Sequence, residues 1–247
     1  MTSIVSLIFI VLIALISHAG AIGQPIQQVA DSQRTRMEWA ITPRLNSAGH
    51  FPFTGSLVNQ SINADINIFA ETRAWGFFLF KSHDLQEKNS LINYLQPGIF
   101  GNARVNDYIR LRFFVGYIFS QIHAFRDPDS DYYAAPVVYW TISERLKLEN
   151  CVLVYDITNN VKMANRFLVF WSAGKFRIDF YVWHRVDFDS QHHATSASLA
   201  INSPAISLAE RVKVMITGSY QGYVSETKPG YARRDGFLLS LAFPVEW

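Results

Sequence analysis

The chain has 247 residues, with aromatics at 15%, charged residues at 17% and a formal net charge of +2. That aromatic-rich, charge-poor balance excludes a disordered chain, and near-neutral charge without any basic run gives nucleic acid no surface to bind. Cys151 is the only cysteine, which excludes a disulfide framework and a cysteine-based zinc cluster and leaves a thiol expected to pack as a small hydrophobe.

The first element is apolar. Ile4 to Ile16 is a run of 13 residues, followed by His18-Ala19-Gly20-Ala21. Ala19 and Ala21 are the small residues a signal peptidase needs, so residues 1–21 are expected to be a signal peptide cleaved near Ala21. The segment departs from the usual pattern in having no Lys or Arg in Met1-Thr2-Ser3. As a helical membrane anchor the run is short, since a span takes about 20 residues. No cysteine follows it, which argues against a lipoprotein. Residues 22–34 are polar and read as a lead-in, leaving 35–247 as a single domain.

No later segment is long and apolar enough for a spanning helix, and mean hydropathy is only +0.08. The signal from here on is period two. Segments read as strands over 35–44, 61–70, 73–82, 91–104, 108–119, 132–142, 146–156, 161–171, 175–187, 194–207, 211–222 and 235–247. Ile62, Ala64, Ile66 and Ile68 oppose Asn63, Asp65 and Asn67. Ile109, Leu111, Phe113 and Val115 oppose Tyr108, Arg110, Arg112 and Phe114. Phe176, Ile178, Phe180 and Val182 oppose Lys175, Arg177, Asp179 and Tyr181, and Val212, Val214 and Ile216 oppose Arg211, Lys213, Thr217 and Ser219. Pro43, Pro97, Pro136, Pro204 and Pro244 each remove a ladder donor and are expected near rims or bulges.

Alternation fits a soluble sandwich as well as a membrane barrel, because both bury one face. The connections separate the two. Tight turns near Glu71-Thr72, Asn106-Asp107, Glu144-Arg145, Ala173-Gly174 and Ala209-Glu210 alternate with longer polar stretches at Asn46–Gln60, His83–Ser90, Gln121–Asp131, Phe188–His193 and Tyr223–Arg234. Thr158-Asn159-Asn160 is the one short connection where a long one is due. This rhythm predicts a closed antiparallel transmembrane β-barrel of about 12 strands, with turns at one end and loops at the other. A Greek-key sandwich gives no reason for it. Three turns also share a pattern of apolar, small or polar, acidic, any, apolar, basic, apolar: Val105 to Leu111, Ile142 to Leu148 and Leu208 to Val214. The acidic residue is expected to accept the backbone amides of its turn.

In the last segment Phe237, Leu239, Leu241, Phe243, Val245 and Trp247 fall on one face. Six apolar positions at spacing two, ending on an aromatic, resemble the C-terminal assembly signal of bacterial outer-membrane barrels. The mature chain resembles porin-like outer-membrane proteins in pattern, and no motif singles out one family. The resemblance implies export to the outer membrane of a Gram-negative bacterium, tight turns and both termini in the periplasm, and longer loops outside. The implied partners are outer-membrane lipid, lipopolysaccharide and the barrel-assembly machinery. Trp39, Trp140, Trp171 and Trp247 stand near strand ends, where interfacial girdles place aromatics.

If the polar faces line a lumen, they carry Arg36, Arg110, Arg112, Lys147, Lys175, Arg177, Arg185, Arg211 and Lys213 against Glu38, Asp65, Glu149, Asp179 and Asp187. Arg110, Arg112, Lys175, Arg177, Asp179, Arg211 and Lys213 are the candidate pore electrostatics, since surplus cations lower the barrier for anions. The function this favours is a narrow passive pore for small polar or anionic solutes, without cofactor or metal. Pairing of the same charges across strands would instead plug the lumen. A lipid hydrolase drawn from His184, His192, His193, Ser190 and Asp187 is the enzymatic rival, without any Gly-x-Ser-x-Gly elbow. A soluble barrel holding an apolar ligand is the third reading. Asp127, Asp129 and Asp131 match only the start of a calcium loop, with Tyr132 where the turn glycine belongs.

Overall fold

The computed structural model describes residues 37–47, 49–51, 56–59, 62–85, 92–122, 130–227 and 235–246. The expected signal peptide, the lead-in, Arg36, Asp127, Asp129 and Trp247 lie outside these residues. The described residues contain no helix.

Twelve strands run antiparallel in chain order: β1 (Glu38–Asn46), β2 (Asn63–Glu71), β3 (Trp75–Asp84), β4 (Ile92–Arg104), β5 (Ile109–Ile122) and β6 (Asp131–Thr141). They continue as β7 (Leu146–Tyr155), β8 (Lys162–Ala173), β9 (Phe176–Asp187), β10 (His192–Asn202), β11 (Lys213–Glu226) and β12 (Gly236–Ala242). Every strand pairs with its chain neighbours. The ring closes where β12 meets β1, through Arg44↔Ala242, Leu45↔Leu241 and Asn46↔Ser240. After Phe243-Pro244 the last strand resumes at Val245–Glu246, with Val245 opposite Ile41. Closure leaves no edge strand to seek another partner. A short hairpin of Gly49–Phe51 with Ser56–Asn59 occupies the connection after β1.

On the strands that alternate most clearly, the polar face turns inward. On β9, Phe176 and Phe180 are exposed on the outside while Asp179 is 1% exposed inside. On β12, Phe237, Leu239 and Leu241 face out, while Ser240 and Ala242 are buried inward. Phe237 is 80% exposed, which a soluble sandwich would not tolerate along a whole strand face. Apolar outside and polar inside is the arrangement of a barrel bathed in lipid. It overturns the soluble-barrel reading. Trp39, Trp75 and Trp171 stand exposed at the turn end of their strands, and Trp140 joins them there at the end of β6.

The three repeated turns fold alike. In each, the first two amides donate to one carbonyl: Val105 and Asn106 to Ile109, Ile142 and Ser143 to Leu146, Leu208 and Ala209 to Val212. The acidic residue is not the acceptor expected of it. Asn106 Oδ1 takes the Tyr108 and Ile109 amides at 2.8 Å each, and Ser143 Oγ takes those of Arg145 and Leu146. The side chain one position earlier is the right length to reach back over the turn. Asp107 binds Arg104 instead, at 2.6 Å.

Several boundaries differ from expectation. β10 ends at Asn202 and not at 207, because Pro204 has no amide to donate. The connection after β9 is only Phe188–Gln191, so two loop-end connections are short, this one and 156–161. Pro43, Pro97 and Pro136 sit inside strands, outward, opposite Ile66, Leu79 and Phe113. Register is unchanged across Pro97, with Leu95↔Phe119 before it and Gly98↔Gly116 after it. Each proline removes one donor and keeps the extended φ, so the ladder loses a rung without slipping.

Candidate functional site: the inner wall

The inner wall divides into two sectors. From β3 to β8 it is apolar and aromatic, with Phe78, Phe80, Tyr94, Phe100, Tyr133, Val137, Cys151 and Leu153 buried as one cluster. Cys151 packs there as a hydrophobe, as expected. The Tyr133 ring lies against the wall because glycine leaves room. A Cβ on Gly98 would stand 2.1 Å from Tyr133 Oη, and one on Gly116 would stand 2.2 Å from the Pro97 carbonyl and 2.7 Å from the same hydroxyl. Tyr133 therefore reaches sideways across β5 and β4 and does not project across the lumen.

The opposite sector, β10 to β12 with β1 and β2, carries small polar side chains linked across the strands. Ser240 Oγ donates to Asn46 Oδ1 at 2.6 Å, Asn46 Nδ2 to Asp65 Oδ2 at 2.7 Å, and Arg44 Nε to Asp65 Oδ1 at 2.6 Å. This chain of bonds crosses the β12–β1 closure. A second runs from Thr217 Oγ1 to Asn202 Oδ1 at 2.7 Å, and from Asn202 Nδ2 to Asp179 Oδ2 at 2.9 Å.

Within these sectors the charges beyond the turn end are neutralised on the wall itself. Arg112 is buried, pairs with Glu71, donates to Asn102 Oδ1 at 2.7 Å and lies 4.3 Å over the Phe100 ring. Arg166 pairs with Glu149 and sits 5.2 Å over Trp183, whose ring is parallel to that of Tyr181. Lys162 pairs with Asp156 at 2.6 Å, and buried His192 meets Glu226 at 2.8 Å. A buried charge is tolerable only with such a partner.

Inward Arg185, near the loop end of β9, donates to Tyr223 Oη at 2.9 Å, and four further inward cations lie at the turn end. Arg110 is the second residue of β5, Lys147 of β7 and Arg177 of β9, while Lys213 opens β11. All four stand at inward positions in the first two residues of four alternate strands. Arg110 lies 4.8 Å over Tyr139, and Arg177 Nη2 holds Asp179 Oδ2 at 3.0 Å. Among the described residues, Arg110 and Lys147 form no ion pair. Two expected positions fall differently: Lys175 lies in the Gly174-Lys175 turn and Arg211 in the segment before β11, both exposed beyond the strands. Gly174 adopts φ +64°, which only glycine takes without strain, and with this turn β8 ends two residues later and β9 starts one residue later than expected.

Sequence reasoning missed Arg44, Glu71, Arg166 and Glu226. On β8 both faces are largely apolar, with Ala164 and Leu168 inside against Phe167 and Val169 outside, so no alternation marked Arg166. The hydrolase candidates are not assembled. His184 points outward to Thr195 Oγ1 at 3.0 Å, whereas His192 points inward, and Asp187 Oδ1 accepts the Asp189 and Ser190 amides. Asp131 spends its carboxylate on the Thr158 and Asn159 amides and the Thr158 hydroxyl.

No protein-family model matches the chain, and no curated protein matches it. Solved structures do. The KdgM porin superposes with a TM-score of 0.55 at 5% identity, covering 84% of this chain and 99% of that one. The NanC porin gives 0.54 at 10% identity, covering 85% and 98%. An outer membrane channel from Pseudomonas putida F1 gives 0.51 at 9%, covering 91% and 100%. The fold is that of an outer-membrane porin. At such low identity the likeness carries the porin architecture and no residue roles.

Proposed function

We propose that this porin-fold chain is a narrow passive pore of the outer membrane for small polar or anionic solutes. The observation that carries the reading is the inward basic residue repeated at the turn-end start of β5, β7, β9 and β11, at Arg110, Lys147, Arg177 and Lys213. Cations at a mouth lower the barrier for negative solutes. The deeper Arg44, Arg112 and Arg166 each have a carboxylate on the wall, so selectivity is assigned to the turn end and not to the mid-barrel. Lys175 and Arg211 extend the same basic rim, and Asp179 tempers it by holding Arg177. Glycine-seated Tyr133 keeps bulk off the axis.

The turn end is assigned to the periplasm, following cleavage of residues 1–21. Outward Phe237, Leu239, Leu241, Phe243 and Val245, with Trp247, are the feature that supports recognition by the barrel-assembly machinery. The apolar outer belt supports contact with outer-membrane lipid and lipopolysaccharide.

Planar-bilayer recording tests the pore. Pure folded protein is expected to give small conductance steps with a reversal potential on the anion side in a salt gradient. Arg110→Ala with Lys147→Ala is expected to move that potential toward zero selectivity. A barrel that never conducts, or that prefers cations, sinks the proposal.

A further inference from the structure

One stretch of the outer wall departs from the apolar rule. Asn150 and Asn165 stand at outward positions, since Glu149, Cys151, Ala164 and Arg166 beside them are buried inward. Asn150 lies four residues from the turn end and five from the loop end of β7, inside the belt that meets lipid, and Asn165 lies three residues from the loop end of β8. Asn150 Nδ2 donates to Asn165 Oδ1 at 2.7 Å and to the Arg166 carbonyl at 3.2 Å. The row continues around the barrel: Asn165 is opposite His184, and His184 is opposite Thr195, with Nδ1 3.0 Å from Oγ1.

We propose that this row is the contact face for a second copy of the chain. Among the described residues, Asn165 Nδ2 and Asn150 Oδ1 have no protein partner. Acyl chains offer neither donor nor acceptor, and an amide left unpaired in hydrocarbon is costly. A second copy satisfies both at once. A carboxamide carries a donor and an acceptor, so two copies related by a twofold axis are complementary to each other at the same residues. Small outward residues next to the row, Ala197 and Gly222, allow close approach. The two short loop-end connections, 156–161 and 188–191, are those that join β7 to β8 and β9 to β10, so long loops do not border the face. The inference rests on outward strand faces meeting lipid and is independent of what the lumen passes.

Cross-linking in native outer membranes tests it. Asn165→Cys is expected to give a dimer with a short bismaleimide, while Ile68→Cys on β2, across the barrel, gives none. Buried, inward Cys151 does not compete. Wild-type protein in mild detergent is expected at twice the chain mass by light scattering. Asn150→Leu with Asn165→Leu is expected at one chain mass while keeping the folded gel mobility. Equal cross-linking at 165 and 68, or a wild-type mass of one chain, overturns the proposal. So does a single chain that retains lipopolysaccharide through purification, which would assign the row to a lipid headgroup. A dimer that fails to conduct leaves this inference standing and removes the pore; a conducting single chain does the reverse.

Discussion

Arg166 and Glu149 meet inside the barrel wall, under Trp183, with both side chains at or below 10% exposure. Removing one partner leaves the other charge buried alone, which costs about 3–5 kcal/mol. Glu149→Leu is therefore expected to lower unfolding stability in liposomes by that amount, and adding Arg166→Met is expected to recover most of it. A denaturant titration of the two variants against wild type checks this. The glycines under Tyr133 make a second prediction. Gly116→Ala pushes a methyl into a backbone carbonyl and is expected to cost about 1–3 kcal/mol as an overpacking change. Gly101→Ala meets nothing within 4 Å and is the matched control. Neither pair nor glycine seat was legible in the sequence. A charge partner two strands or a turn away is set by register, and a ring lying sideways is set by what its neighbours lack.

At the scale of the element, the sequence was a better guide. Strands such as β2, β9 and β12 show one apolar and one polar face, so their existence and orientation followed from period two alone. Their lipid face makes a direct prediction. Phe180→Arg, outward on β9, is expected to destabilise the barrel in a bilayer by about 2–4 kcal/mol if it sits near mid-depth. Reversible unfolding from lipid vesicles measures it. The tight turns were found by composition, but their chemistry was misassigned by one residue. Asn106→Ala removes the acceptor of two amides and is expected to lower stability by about 1 kcal/mol, whereas Glu144→Ala leaves its turn intact. The same denaturant titration, comparing the two, decides between the residues. β6 and β8 were harder to read, because an inner face built of Ala135, Val137 or Leu168 looks like an outer one.

At the scale of the whole molecule, the basic residue that follows each repeated turn matters more than any single charge. The pattern ending in Arg110-Leu111, Lys147-Leu148 and Lys213-Val214 delivers an inward cation to the turn-end start of β5, β7 and β11, and β9 adds Arg177. Exchanging Arg110 and Lys147 for Glu is expected to reverse the preference from anions to cations in bilayer recordings, with stability little changed because both lie near the turn end. What the sequence determined by itself was the class of object: twelve alternating segments, tight turns at one end, and a C-terminal face of Phe237, Leu239 and Leu241 turned to lipid. Those are local properties, written in neighbours one to four positions apart. Which cations remain open and which are neutralised was decided only by the closed ring. Arg44 meets Asp65 because the register of β1 on β2 sets them opposite, and Arg112 meets Glu71 because the closed wall curves β5 toward β2. Ser240 bonds to Asn46 across 194 residues of sequence for the same reason.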